Sequence, residues 1–360
     1  MFPFDQPEST AFYLVWYMVT LVLHVLPMNY VLAGSTYLAV VGFGELCGRS
    51  FAAHRPIADK LRDWMPFALG VTITAGVAPI LFVQILYKKA FYTANLLLFN
   101  RWMAILPVLI VAFYLLYVQK SKRWHDWSRQ IRASISCGIL VCFAFVAWSW
   151  TENHLLSLQS QDRWTAEYLH GKWFFFDSEL IPRLTVWYVG AFPMLAMVLG
   201  WQMWVDHGSA APSDIVRLLA RIALFSSAGA ALAAVGYYIA LPDELRAKLS
   251  SGSGRVYLAF AAIGFALQAT AWWRQWTGAA LSRAWLTVAA VGMSVAVVGM
   301  TALRELRRVA AIDLSKLADS HYAVTHAGGF AVFFVFFLLN TLVIAGVVVL
   351  VRRELRTPAK

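Results

Sequence analysis

The chain has 360 residues, of which 60% are hydrophobic and 14% charged, with a mean hydropathy of +0.63 and a formal net charge of +11. Charged content so far below the roughly 25% of soluble domains excludes a water-soluble globule, and no polar half divides the chain, so one membrane domain over 1–360 is expected. The Lys and Arg residues fall in short clusters between apolar stretches, the distribution of loops beside anionic lipid headgroups, which speaks against a nucleic-acid partner.

The apolar stretches run 12–43, 64–87, 102–119, 132–151, 183–205, 215–241, 255–276, 284–303 and 327–351. Each is long enough to cross a bilayer. Lipid offers the backbone no hydrogen bonds, so the expectation is an all-α, polytopic transmembrane bundle of about nine spans. The first ten residues carry no Lys or Arg, so the positive start of a cleavable signal peptide is missing and the first apolar segment is expected to stay. With the N-terminus outside, more than half of the 30 Lys and Arg residues fall on the inner side, which favours N-out and C-in. The longest outer connection, 152–182, carries Trp164, Tyr168, Trp173 and Phe174 to Phe176, the makings of a helix lying in the interface or of an aromatic belt. Trp64, Trp102, Trp124, Trp127, Trp272, Trp273 and Trp276 stand near segment ends and read as anchors. The alanines between Gly229 and Gly236 suit close helix packing. No internal repeat is evident, which weakens an inverted-repeat transporter.

His24 is the one histidine well inside a predicted span, where an unpaired polar side chain is expensive. It reads equally as a haem-iron ligand or as a histidine bonded to a neighbouring helix. Met28, one turn on, cannot ligate the opposite face of the same iron and reads as packing. Met194, Met197, Met203, Met293 and Met300 offer thioethers, although Met is ordinary core filler; Met300 is kept as a candidate axial ligand. Gln84, Gln268 and Asn340 are intramembrane amides that suit a quinone or a partner helix, and Gln84 is kept as the quinone candidate. Arg221 either snorkels or pairs with a propionate or phosphate. Outside, His154, His170, His321 and His326 fit no metal-ligand spacing. Cys47, Cys137 and Cys142 support neither a disulfide framework nor a thiolate cage, and no CxxCH site exists for a covalent haem c. No Walker loop, GxSxG, HExxH or paired-carboxylate signature occurs, so no catalytic residue is assigned.

Two segments in the first third of the chain carry a specific likeness. "LHVLPMNYVLAGSTYLAVVGFGELCGRS" followed by "DWMPFALGVTITAGVAPILFVQILY" resembles the two opening helices of subunit I of cytochrome bd-type quinol oxidases, with an early intramembrane His and a second helix opened by Phe67, Ala68, Leu69, Gly70 and Val71. The resemblance implies nine spans with the N-terminus outside, and it places the family's first-helix haem ligand on His24. Other family features do not carry over. Residues 102–119 hold no glutamate, 183–205 hold no second histidine, the last span has Asn340 in place of a carboxylate, and the quinol loop shrinks to Pro242–Gly254. The expectation is therefore a bacterial inner-membrane electron-transfer subunit with one b-type haem, working with other membrane subunits, a c-type cytochrome or another redox protein outside, and a quinone, but not a complete oxygen reductase. The alternative is a cofactor-free anchor or scaffold of a respiratory complex. A small-solute transporter is least supported, since the predicted spans hold almost no Asp or Glu.

Overall fold

The computed structural model describes residues 4, 6–49, 51–170, 175 and 177–356. The chain is all-helical, 90% helix, with no strand among the described residues. Thirteen α-helices follow in order: α1 Glu8–Leu46, α2 Arg55–Leu86, α3 Lys88–Leu97, α4 Phe99–Lys120, α5 Arg129–Ser157, α6 Gln161–His170, α7 Leu180–His207, α8 Ser213–Ala240, α9 Asp243–Leu249, α10 Gly252–Gly278, α11 Arg283–Ala311, α12 Ala318–His326 and α13 Gly329–Arg356. Eight of these (α1, α2, α4, α5, α7, α8, α10 and α11) are long and apolar enough to cross a membrane. Each of the first eight predicted stretches lies inside one of these helices to within one residue, and the helices run on beyond the stretches, by nine residues at the start of α2 and eight at the finish of α11. The segments Leu314–His326 and Ala331–Val343, bent by 65°, make a ninth if the pair is one span. The chain is a multi-pass helical membrane protein. Large apolar side chains such as Phe67, Leu106, Tyr114, Phe225 and Leu232 stand exposed in mid-helix, as suits a surface covered by lipid or by another membrane protein.

α1 is the central helix. It packs against α2, α5, α7 and α11, and every residue from Asn29 to Ala39 is buried. That position explains why its sequence is apolar on all sides instead of along one stripe. Its 39 residues span about 58 Å at 1.5 Å per residue, well beyond the roughly 30 Å of a hydrocarbon core, so it continues past one membrane face.

Small residues set the closest contact between α10 and α11. A Cβ at Gly264 would lie 2.4 Å from the Ala296 nitrogen, and one at Gly299 2.6 Å from the Ala261 nitrogen, so the two backbones touch. The predicted Gly229 to Gly236 face differs: Gly229 meets only Val189 of α7, and Gly236 faces open space. Two of the predicted tryptophan anchors are core residues instead. Trp272 is wholly buried against Gly200 of α7, and Trp124 is buried beneath the Arg62 guanidinium. Trp64 and Trp273 are exposed as expected of anchors. In the 152–182 connection, α5 continues to Ser157, and the short α6 presents exposed Tyr168 and Leu169 while Trp164 donates from Nε1 to the Leu156 carbonyl at 2.8 Å. Phe175 is buried, whereas Trp173, Phe174 and Phe176 lie outside the described residues, as does Lys360.

Consecutive spanning helices run in alternating directions. The starts of α1, α4, α7 and α10 therefore share one end of the bundle with the finishes of α2, α5, α8 and α11. This N-terminal end contains a layer of buried charge. The opposite end carries half-exposed ion pairs, Lys60 with Asp206, Lys120 with Asp63 and Arg132 with Glu45.

Candidate functional site: a buried arginine layer and the histidine beneath it

His24 lies on α1 with its imidazole against Gly76 of α2. A Cβ at position 76 would come within 2.9 Å of the ring, so glycine there makes the approach possible. His24 Nδ1 donates to the Thr72 carbonyl of α2 at 3.0 Å, and that bond fixes the tautomer, because a carbonyl can only accept. Nε2 makes no hydrogen bond among the described residues. A ring held through Nδ1–H on a backbone carbonyl, with the Nε2 lone pair free, is how proteins orient a metal-ligating histidine. His24 is therefore the side chain that would hold a haem iron, were one bound. Among the described residues no three His, Cys, Asp or Glu side chains stand close enough to cage a bare metal ion.

Tyr17 precedes His24 by seven residues, two turns along the same face of α1 and about 10 Å nearer the N-terminal end. Its hydroxyl accepts from Arg304 Nη1 and Arg308 Nη1 of α11, each at 3.1 Å. Arg308 also pairs with Glu305, which accepts from the Tyr87 hydroxyl at 2.7 Å. Burial, and then the Glu305 carboxylate, push the Tyr87 hydroxyl well above its ordinary pKa. His154, near the finish of α5, takes a hydrogen bond from Arg308 Nη2 and another from Arg304 Nη2 at 3.3 Å, both on Nδ1. Beside it, Arg101 of α4 pairs with Glu152, which also accepts from the Phe175 backbone N–H.

Glu179 caps the layer where α7 begins. It accepts from Arg307 at 2.9 Å and from the Tyr237 hydroxyl of α8 at 2.6 Å. Burial by itself would raise its pKa, but these two donors more than offset that and hold it below the ordinary glutamate value. Arg183, one turn into α7, is 5% exposed and stands within electrostatic range of Tyr237, Arg304, Glu179 and Arg308. Arg304 in turn lies within range of His24, so the histidine and the layer form one continuous region.

Of the other sequence candidates, Met300 is half-buried one turn from Arg304 on the same face of α11, the face that meets α1. Gln84 is half-buried on α2, and Arg221 is exposed on α8, away from the layer. Gln268 donates to Met293 Sδ at 3.5 Å, a contact between α10 and α11. Asn340 is exposed and bonds its own helix at the Phe336 carbonyl. Met194, Met197 and Met203 are core, and Met28 packs against it. The four outer histidines do not converge. His321 is buried against Thr10 at 2.8 Å, His326 lies against the Tyr322 ring with the two planes tilted by 53°, and His170 bonds its own helix.

Most of the layer escapes a reading that stops each helix where the apolar residues stop. Arg304, Glu305, Arg307 and Arg308 fall one residue or more past the predicted eighth span, and Glu152 and His154 past the fourth. A signal was present: no Gly or Pro separates Thr301 from Ala311, so the helix had no reason to end there.

A second feature lies nearer the opposite end. A cleft of about 470 Å³ opens between α1, α2 and α7, lined by Pro27, Tyr30, Phe67, Met194, Trp201 and Gln202 among others, with Lys60 and Asp206 at its edge. The Tyr30 hydroxyl lies beside the Gln202 side chain, and among the described residues neither it nor Gln202 Oε1 bonds to any third group.

No family model, curated protein or solved structure matches the chain.

Proposed function

We propose that the protein is the membrane subunit of an electron-transfer complex in a bacterial inner membrane, holding one b-type haem on His24. The observation that carries this reading is the state of His24: Nδ1 is tied to the Thr72 carbonyl and Nε2 is left free within an apolar bundle. The likeness of the first two helices to subunit I of bd-type quinol oxidases adds to it.

A bound haem supplies reversible one-electron exchange. The chain's own residues do the rest. Thr72 and Gly76 hold the imidazole in one tautomer and one orientation. Met300, on the face of α11 that meets α1, is the candidate for a second side chain that would hold the haem. The apolar flanks of α1 and α2 keep water from the ring. A quinone is the proposed lipid-soluble electron carrier, with the cleft between α1, α2 and α7 as its site; the Tyr30 hydroxyl and Gln202 carbonyl suit the polar edge of a quinone head. The N-terminal end faces outward in this reading, because the exposed basic residues collect at the other end, and α6 then offers Tyr168 and Leu169 to a c-type cytochrome or other redox partner.

Reduced-minus-oxidised difference spectroscopy of the purified protein tests the proposal. The wild type is expected to show b-type bands that His24→Ala abolishes. A colourless wild type overturns it and leaves the cofactor-free scaffold.

A further inference from the structure

We infer that the N-terminal end of the bundle encloses a binding site for a phosphate group, built by His154, Arg183 and Arg308. Arginine side chains only donate, so His154 Nδ1, which meets Arg304 and Arg308, must be the acceptor. The proton of His154 is therefore on Nε2. That Nε2–H is buried and meets no acceptor among the described residues, in a residue only 3% exposed. The Arg183 side chain, 5% exposed, makes no hydrogen bond or ion pair among the described residues, its backbone N–H alone being bonded, to the Glu179 carbonyl, and the Nε–H groups of Arg307 and Arg308 are buried and unbonded there.

Donors thus accumulate from three helices, α5, α7 and α11. Against them the layer has, among the described residues, one unbonded carboxylate oxygen, Glu305 Oε2, apart from Glu152, which is committed to Arg101. The charges are just as uneven. Four guanidiniums (Arg183, Arg304, Arg307 and Arg308) surround His154, and two carboxylates, Glu179 and Glu305, oppose them. Water can accept N–H bonds but cannot neutralise two buried positive charges, and an uncompensated buried charge is costly. A group with several acceptor oxygens and negative charge satisfies both deficits at once, and arginine forks match its geometry. The flanking tyrosines Tyr17, Tyr87 and Tyr237 are already bonded within the layer, so they frame the site and leave its centre to the ligand.

Two sources have this chemistry: a free anion such as inorganic phosphate, and the phosphate of a lipid headgroup reaching in from the membrane edge. Purify the full chain in a phosphorus-free detergent, then measure phosphorus before and after organic extraction, and follow the melting temperature as inorganic phosphate is added. The expected result is either extractable lipid phosphorus bound near one equivalent, or a saturable rise in melting temperature with phosphate. Arg183→Gln should weaken binding about tenfold or more, the loss of one charge-assisted contact, whereas Arg221→Gln, exposed on another helix, should not. His24→Ala should retain the anion, so this site and the haem reading fail separately. The sign of the Arg183→Gln stability change gives an independent readout. With no anion, removing an unpaired buried charge stabilises the protein; with an anion bound, it destabilises it. Absence of both bound phosphorus and a phosphate response, or an Arg183→Gln variant that melts higher than wild type in phosphate, overturns the proposal.

Discussion

At the scale of single residues, the contact between His24 and Gly76 is the tightest constraint on the candidate site. A methyl group at position 76 would have its carbon 2.9 Å from the imidazole, and the ring is also tied to the Thr72 carbonyl, so it cannot turn aside without breaking that bond. Gly76→Ala is expected to lower stability by about 1–2 kcal/mol through overpacking, despite the better helix propensity of alanine. Gly70→Ala, on the same helix with nothing within 4 Å, should be neutral or stabilising. Thermal melts of the two variants check this. If Gly76→Ala melts no lower than Gly70→Ala, the ring does not sit where the argument needs it. His24 was legible as a residue of interest from its isolation in an apolar stretch. Its partner was not, because the acceptor is a backbone carbonyl 48 residues away and carries no side-chain signature.

At the scale of elements, Glu179 joins three helices. It stands at the start of α7, takes a hydrogen bond from Arg307 of α11 and another from Tyr237 of α8, and has a pKa below the ordinary glutamate value. A carboxylate whose native pKa is depressed adds stability at pH values above its unfolded pKa. That contribution is lost as the pH falls through the native value. The melting temperature should therefore fall as pH is lowered across the carboxylate range, and Glu179→Gln should melt lower near neutrality with a shallower pH dependence. A variant with the wild-type pH profile would show that the three helices are held by something else. The α10–α11 contact has a different physical basis, since Gly264, Gly292 and Gly299 let the backbones themselves touch. The glycines that pack are those facing a neighbouring helix. Counting small residues along α8 does not say which of them face one, and Gly236 does not.

At the scale of the whole molecule, the two ends of the bundle differ in how they hold charge. One end has half-exposed pairs between Lys or Arg and Asp or Glu, each worth little in water. The other buries arginines against tyrosines, a histidine and too few carboxylates. Cys47 is exposed just past the finish of α1, at the end opposite the arginine layer. With the N-terminus outside, a membrane-impermeant thiol reagent should label Cys47 in inverted vesicles and not in intact spheroplasts. The opposite pattern would reverse the orientation and move the proposed redox partner to the cytoplasm.

Composition and periodicity by themselves determined that this is a multi-pass helical membrane protein, and they located its spans, because lipid leaves the backbone no alternative to internal hydrogen bonding and so ties helix length to apolar length. The positions of α3 and α9, the burial of Trp124 and Trp272, and the meeting of Tyr17, His154, Arg183 and Arg308 were decided only by the tertiary structure. Those four residues come from four helices, and charge at a helix end reads in sequence as solvated loop. Only the alternation of helix directions brings such ends together, and only their packing removes them from water.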